Sequence, residues 1–182
     1  PKDQCFIGFD AYEKVLANPE INYIILATPP HFRPYHLKAA IEAGVTILGE
    51  NYPEEGVMKI QSLAEQPRSF RSHFSVERAG QSGVEWHMIG HVQSRKARLV
   101  ADHFALLHSL DSLKLAQRLD RFAAEQNRIL PVLLEFNLGG EESKSGWDVS
   151  ATDLDKILPD IQIVLDLPHL RVRGLMTIDR KS

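Results

Sequence analysis

Short runs of branched and aromatic residues alternate along this chain with longer stretches of helical period, and this alternation restricts the fold more than any other feature. Strand, helix and next strand in one sheet make a parallel crossover, so the expected class is α/β with a mainly parallel sheet. The spacing predicts strands at Tyr23 to Thr28, Thr46 to Asn51, Glu85 to His91, Ala105 to Leu110, Pro131 to Asn137 and Arg171 to Ile178, with a weaker seventh at Phe6 to Phe9. A helix is expected from Pro34 to Ala43, with Leu37, Ala40 and Ile41 on one face and Gly44 as its stop. The strongest helix runs from Ser112 to Asn127: Asp111 or Ser112 can cap it, and Leu113, Ala116, Leu119, Phe122 and Ala123 form a stripe that reads as core. A short helix is expected at Thr152 to Leu158, closed by Pro159.

Composition narrows the function. A hydrophobic fraction of 43% over 182 residues is enough for one sizeable core, so one domain is expected. Lysine and arginine total 21 against 24 acidic residues, a net charge of −3 that favours neither nucleic acid nor an anionic membrane. The polar stretch from Glu65 to Gly83 reads as a loop; Arg68, Arg71, Arg78, Phe70 and Phe74 are too few to make it a nucleic-acid patch. Cys5 is the only cysteine, which excludes an internal disulfide and any CxxC site and fits the cytoplasm. Runs such as YIILA and PVLLEF fall far short of a membrane span. His87 and His91, four residues apart on an expected strand, are too far apart to share a metal easily, so no metal site is expected.

Two family resemblances meet near residue 50. From Phe9 to Glu50, the text FDAYEKVLANPEINYIILATPPHFRPYHLKAAIEAGVTILGE resembles the nucleotide-binding domain of the glucose-fructose oxidoreductase and inositol dehydrogenase family. The likeness maps that family's cofactor-lining turn onto Thr28, Pro29, Pro30 and His36, and its E-K-P motif onto Glu50 and Asn51, with asparagine in the place of the catalytic lysine. No G-x-G-x-x-G turn occurs in the chain, so NAD is disfavoured.

From Gly49 onward, the segments GENY, WHMIGHVQSRK, HSLD, LLEFN, ESKSG and RGLMTI resemble the pyridoxal-phosphate homeostasis proteins, whose barrel is that of the alanine racemase amino-terminal domain. The resemblance implies that these segments are successive strand ends and loops of a (β/α)8 barrel, which gathers ligand groups at the carboxyl ends of its strands. It places Asn51, His91, Asn137, Met176 and Thr177 at or close to pyridoxal phosphate, and Lys144 in a loop near the site. The family's Schiff-base lysine would fall in ILATPPHF, which has none, and its phosphate-binding serine-glycine-methionine and arginine-isoleucine-glycine segments do not occur before Ser182.

Together the two likenesses predict one hybrid domain over residues 1–182, with a Rossmann-type segment over 1–50 and a partial barrel over 51–182. The origin is left open between a natural recombination, an engineered hybrid and a misjoined gene. The expected architecture is an incomplete or hybrid (β/α) barrel of mostly parallel strands, with an open doubly wound sheet as the alternative. The expected function is pyridoxal 5′-phosphate binding of the homeostasis type, impaired or inactive, with the cofactor held without a covalent bond or absent; an NAD(P)-dependent oxidoreductase fragment is the alternative. No residue is singled out as catalytic. Glu135 is a carboxylate facing the interior or mouth, where it must find a partner or be neutralised. Open sheet edges predict a homodimer.

Overall fold

The computed structural model describes residues 5–18, 33–45, 47–65, 85–140, 145–149 and 154–177. The strand expected at Tyr23 to Thr28, most of the loop from Glu65 to Gly83, the turn Thr28 to Pro30, and Lys144 lie outside these residues. The chain divides into two compact units, one of residues 1–47 with 64–84, the other of residues 48–63 with 85–182.

In the first unit, helix α1 (Ala11–Leu16) follows a turn in which the Ala11 amide donates to the Gly8 carbonyl. That turn occupies the place of the strand expected at Phe6 to Phe9, whose Ile7 and Phe9 are exposed. No strand among the described residues pairs with this segment, and apolar side chains without such a neighbour gain nothing from extension. Helix α2 (Arg33–Glu42) matches the expected helix and buries Ala40 and Ile41. Gly44 closes it at φ +92, with its own amide on the Ile41 carbonyl and the Val45 amide on Ala40.

A six-stranded sheet follows: β1 (Ile47–Glu50), β2 (Glu85–Met88), β3 (Leu106–Leu110), β4 (Leu130–Asn137), β5 (Trp147–Asp148) and β6 (Leu170–Thr177). Its order is β1-β2-β3-β4, and β4 pairs with both β5 and β6. The pairs β2–β3, β3–β4, β4–β5 and β4–β6 are all parallel, so the expected α/β class with mostly parallel strands is what forms. Helices α3 (Pro53–Ala64), α4 (Ala97–His103), α5 (Leu113–Glu125) and α6 (Leu158–Leu165) supply the crossovers.

On β4, Leu130, Val132 and Leu134 are buried on one face, and Leu107 and Leu110 of β3 pair with Val132 and Leu134 on that same face. On α5, Ala116, Leu119 and Ala123 of the expected stripe are buried, but Leu113 and Phe122 are only half-buried and Leu115 is buried with the others. Ser112 caps the helix by accepting from the Leu115 amide. Asp120 on α5 accepts from the His169 amide at 2.7 Å, tying this helix to the start of β6. The helix expected at Thr152 to Leu158 is instead a 3-10 turn at Leu154–Lys156 followed by α6. Pro159 therefore opens a helix where it was expected to end one, because its missing N–H is not needed in a first turn.

Candidate functional site at the strand ends

Parallel strands deliver their carboxyl ends to one rim of the sheet. Asn51 follows β1, His91 lies three residues beyond β2, Asp111 follows β3, Asn137 ends β4, and Met176 and Thr177 end β6. The five residues expected near a cofactor thus all stand on this rim. They differ in setting: Asn51, His91 and Thr177 are exposed, Met176 is half-buried and Asn137 is buried. In the β4–β6 register, Met176 sits opposite Glu135 and Thr177 opposite Phe136, which places Met176 on the same face as Glu135.

Strand β2 stops at Met88, short of the expected His91, because the chain there turns onto its neighbour. The amides of Ile89 and Gly90 both point at the Glu50 carbonyl, at 2.9 and 3.4 Å. Gly90 lies so close to Asn51 that a Cβ would stand 2.2 Å from the Asn51 carbonyl oxygen. Ser109 then donates to the Gly90 carbonyl at 2.6 Å, fastening β3 to this corner.

His91 joins three segments. Its Nδ1 lies 2.9 Å from Asp111 Oδ2 and 2.9 Å from Ser145 Oγ. Asp111 also accepts from the Ser112 hydroxyl, so it serves the rim while Ser112 caps α5. A relay of the hydrolase kind needs serine and aspartate on opposite ring nitrogens. Both partners here meet the same nitrogen, so the arrangement orients the ring and leaves Nε2 to a ligand. Gly146, beside Ser145, packs where a Cβ would come within 2.7 Å of the Glu135 carbonyl oxygen, which presses this loop against β4.

Glu135 is only 3% exposed, and its Oε2 has no hydrogen-bond partner. Burial, and then the Asp111 carboxylate, push its carboxyl above the usual range, while His91 pulls the other way. Farther down the sheet, His87 Nδ1 meets His108 Nε2 at 3.0 Å. Burial lowers both imidazoles; Glu85 opposes this at His87, and His87 adds to it at His108. His87 thus serves a side-chain pair, and among the described residues no group of three metal ligands occurs. His36 of α2, which the oxidoreductase likeness singled out, lies with its ring 4.6 Å from that of Tyr12.

These groups fit a polar aromatic cofactor: amides and a hydroxyl that both donate and accept, an imidazole with a free nitrogen, and a buried carboxyl oxygen that nothing meets. An imine would need an amine: Lys59 and Lys96 are bound to Glu50 and Glu54, while Lys114, three residues past Asp111, meets no carboxylate among the described residues. Asp111, Ser145 and Ser109 were not legible as rim residues. The signal lies in HSLD and ESKSG, which the family resemblance places at strand ends and loops, but Asp111 also satisfies the pattern of a helix cap.

Residues 31–182 match the model of the alanine racemase N-terminal domain, and the chain belongs to that family. Within it, the likeness runs to the pyridoxal phosphate homeostasis proteins. That of Vibrio alginolyticus is 41% identical over 139 residues, 76% of this chain and 52% of that protein. The chain thus spans about half the length of the curated relatives it matches. PipY of Synechococcus elongatus, solved without PLP, superposes with a TM-score of 0.64 at 31% identity, covering 80% of this chain and 59% of that one; with PLP bound, the score is 0.61 at 32% identity, over 81% and 59%. Alanine racemase of Clostridium difficile shares the fold at 13% identity, with a TM-score of 0.52 over 79% of this chain and 31% of that one. The family match reaches back to residue 31, inside the stretch that resembled oxidoreductases, and no comparison supports that second likeness or a hybrid chain.

No helix among the described residues is long and apolar enough to cross a membrane.

Proposed function

We propose that this chain binds pyridoxal 5′-phosphate non-covalently at the strand-end rim, as a protein of the pyridoxal-phosphate homeostasis type. The observation that carries this reading is the gathering of Asn51, His91, Asp111, Glu135 and Asn137 at the carboxyl ends of adjacent parallel strands, where α/β proteins bind ligands. When bound, the cofactor supplies an aldehyde and an electron-poor ring. Asp111 and Ser145 hold the His91 ring so that Nε2 can accept a proton or hydrogen bond. Asn137 offers a buried amide, and Glu135 an acceptor that a ligand donor would satisfy. Asn51 is set by the contact of its backbone with Gly90.

The test is an absorbance titration of the full chain with pyridoxal 5′-phosphate, followed by borohydride treatment and mass measurement. Saturable binding without a trapped adduct is expected, and His91→Ala and Asn137→Ala should each weaken it by about tenfold. Absence of saturation overturns the reading; a lysine adduct overturns its non-covalent part.

A further inference from the structure

Beyond the rim, the two segments joined by the His91–Asp111 pair diverge, one into the 3-10 turn Ser94–Lys96 and the other into α5. Between them lies a wide, open depression of about 550 Å3 lined by Gln93, Ser94, Arg95, Lys114 and Arg118. Three of the five lining residues are cations and none is acidic.

The three cations are not neutralised. Arg118 donates to the Ser94 carbonyl at 3.1 Å and Arg95 to the Gln93 side-chain carbonyl at 3.0 Å, both uncharged acceptors. Lys114 has no hydrogen-bond or ion-pair partner among the described residues. Glu54, whose field reaches Arg95, is bonded to Lys96 at 2.6 Å. Elsewhere in the same unit Lys59, Lys96 and Arg98 each meet a carboxylate. Lys114 and Arg118 also stand four residues apart on α5, a like-charge spacing that destabilises a helix. No acidic residue occupies the first turn of α5 to offset Lys114. A bound anion would reverse each of these penalties.

We infer that this depression is an anion site for a compact, multiply charged group, a phosphate monoester or free phosphate, held by Arg95, Lys114 and Arg118 and separate from the strand-end rim. Guanidinium groups present paired donors that match phosphate oxygens, and Lys114 adds a point charge. The acidic balance of the chain argues against an extended polyanion.

The experiment is calorimetric titration of the full chain with inorganic phosphate, repeated with chloride at equal ionic strength and with a short single-stranded oligonucleotide. Saturable phosphate binding is expected, chloride should give none, and Lys114→Glu should weaken it by about tenfold. Arg118→Lys, which keeps the charge and loses the fork, should weaken it less than Lys114→Glu, with the thermal midpoint recorded for both. Phosphate binding equal in parent and Lys114→Glu, no saturation, or an oligonucleotide preferred over phosphate each overturns the inference. A parallel titration of Lys114→Glu with pyridoxal 5′-phosphate separates the two sites: weakened phosphate binding with unchanged pyridoxal phosphate affinity is expected, and an equal loss of both overturns the separateness of this depression from the rim.

Discussion

A carboxyl group with one oxygen unmet inside a protein carries a cost that depends on pH, and Glu135 is such a group. Its folded form keeps the proton to a higher pH than the unfolded chain, whose ordinary value is 4.5. Between 4.5 and the raised folded value the folded state binds more protons, so stability falls as pH rises through that interval, and the penalty is complete above it. Glu135→Gln keeps the shape and removes the ionisation. Denaturant unfolding should show the variant more stable than the parent by about 1 kcal/mol at neutral pH, with the gap closing below pH 4.5. A gap that widens toward acid would contradict the assignment. The need of Glu135 for a partner was legible in the sequence, since an acid between apolar residues on a strand must be compensated. The identity of its neighbours was not, because Asp111 and His91 reach it from other strands and only the fold sets that proximity.

At the level of elements, the join of β1 and β2 is set by backbone against backbone. An alanine at position 90 would put its Cβ 2.2 Å from the Asn51 carbonyl oxygen and 2.7 Å from the Asn51 Cα, and neither atom can swing aside as a side-chain tip would. Gly90→Ala should therefore destabilise the protein by about 2 kcal/mol or more, read as a lowered denaturant midpoint. It should also move Asn51 and weaken pyridoxal phosphate binding; an unchanged midpoint would show that the corner is softer than its geometry implies. Periodicity located β1, β3, β4, β6, α2 and α5 because each has a buried face that repeats at its own period. It did not locate α1, which buries no residue, nor α3, nor α4, which is only seven residues long, nor β5, two residues long. It misread Pro159 because a proline can stop one helix or start another, and only the burial of Val164 on the following turn decides between them.

For the whole molecule, the alternation of strand and helix signals was enough to fix a parallel α/β sheet, and the rim followed from it, since parallel strands must all end on one side. The segment preceding β1 was the harder part to read. Its TPP turn and AG-ended helix satisfy the βα grammar of two families, so local resemblance alone favoured a join that the family match, beginning at residue 31, does not require. The sheet also has a pronounced hierarchy. Strand β4 is paired to β3, to β5 and along most of its length to β6, whereas β6 leaves Leu175 69% exposed. In heavy water the amides of Val132 to Leu134 should be among the slowest to take up deuterium, and those of the two-residue strand β5 should exchange earlier by orders of magnitude. β4 is then the last piece of the sheet to let go, so the lifetime of the rim as an assembled surface is limited by the departure of that single strand.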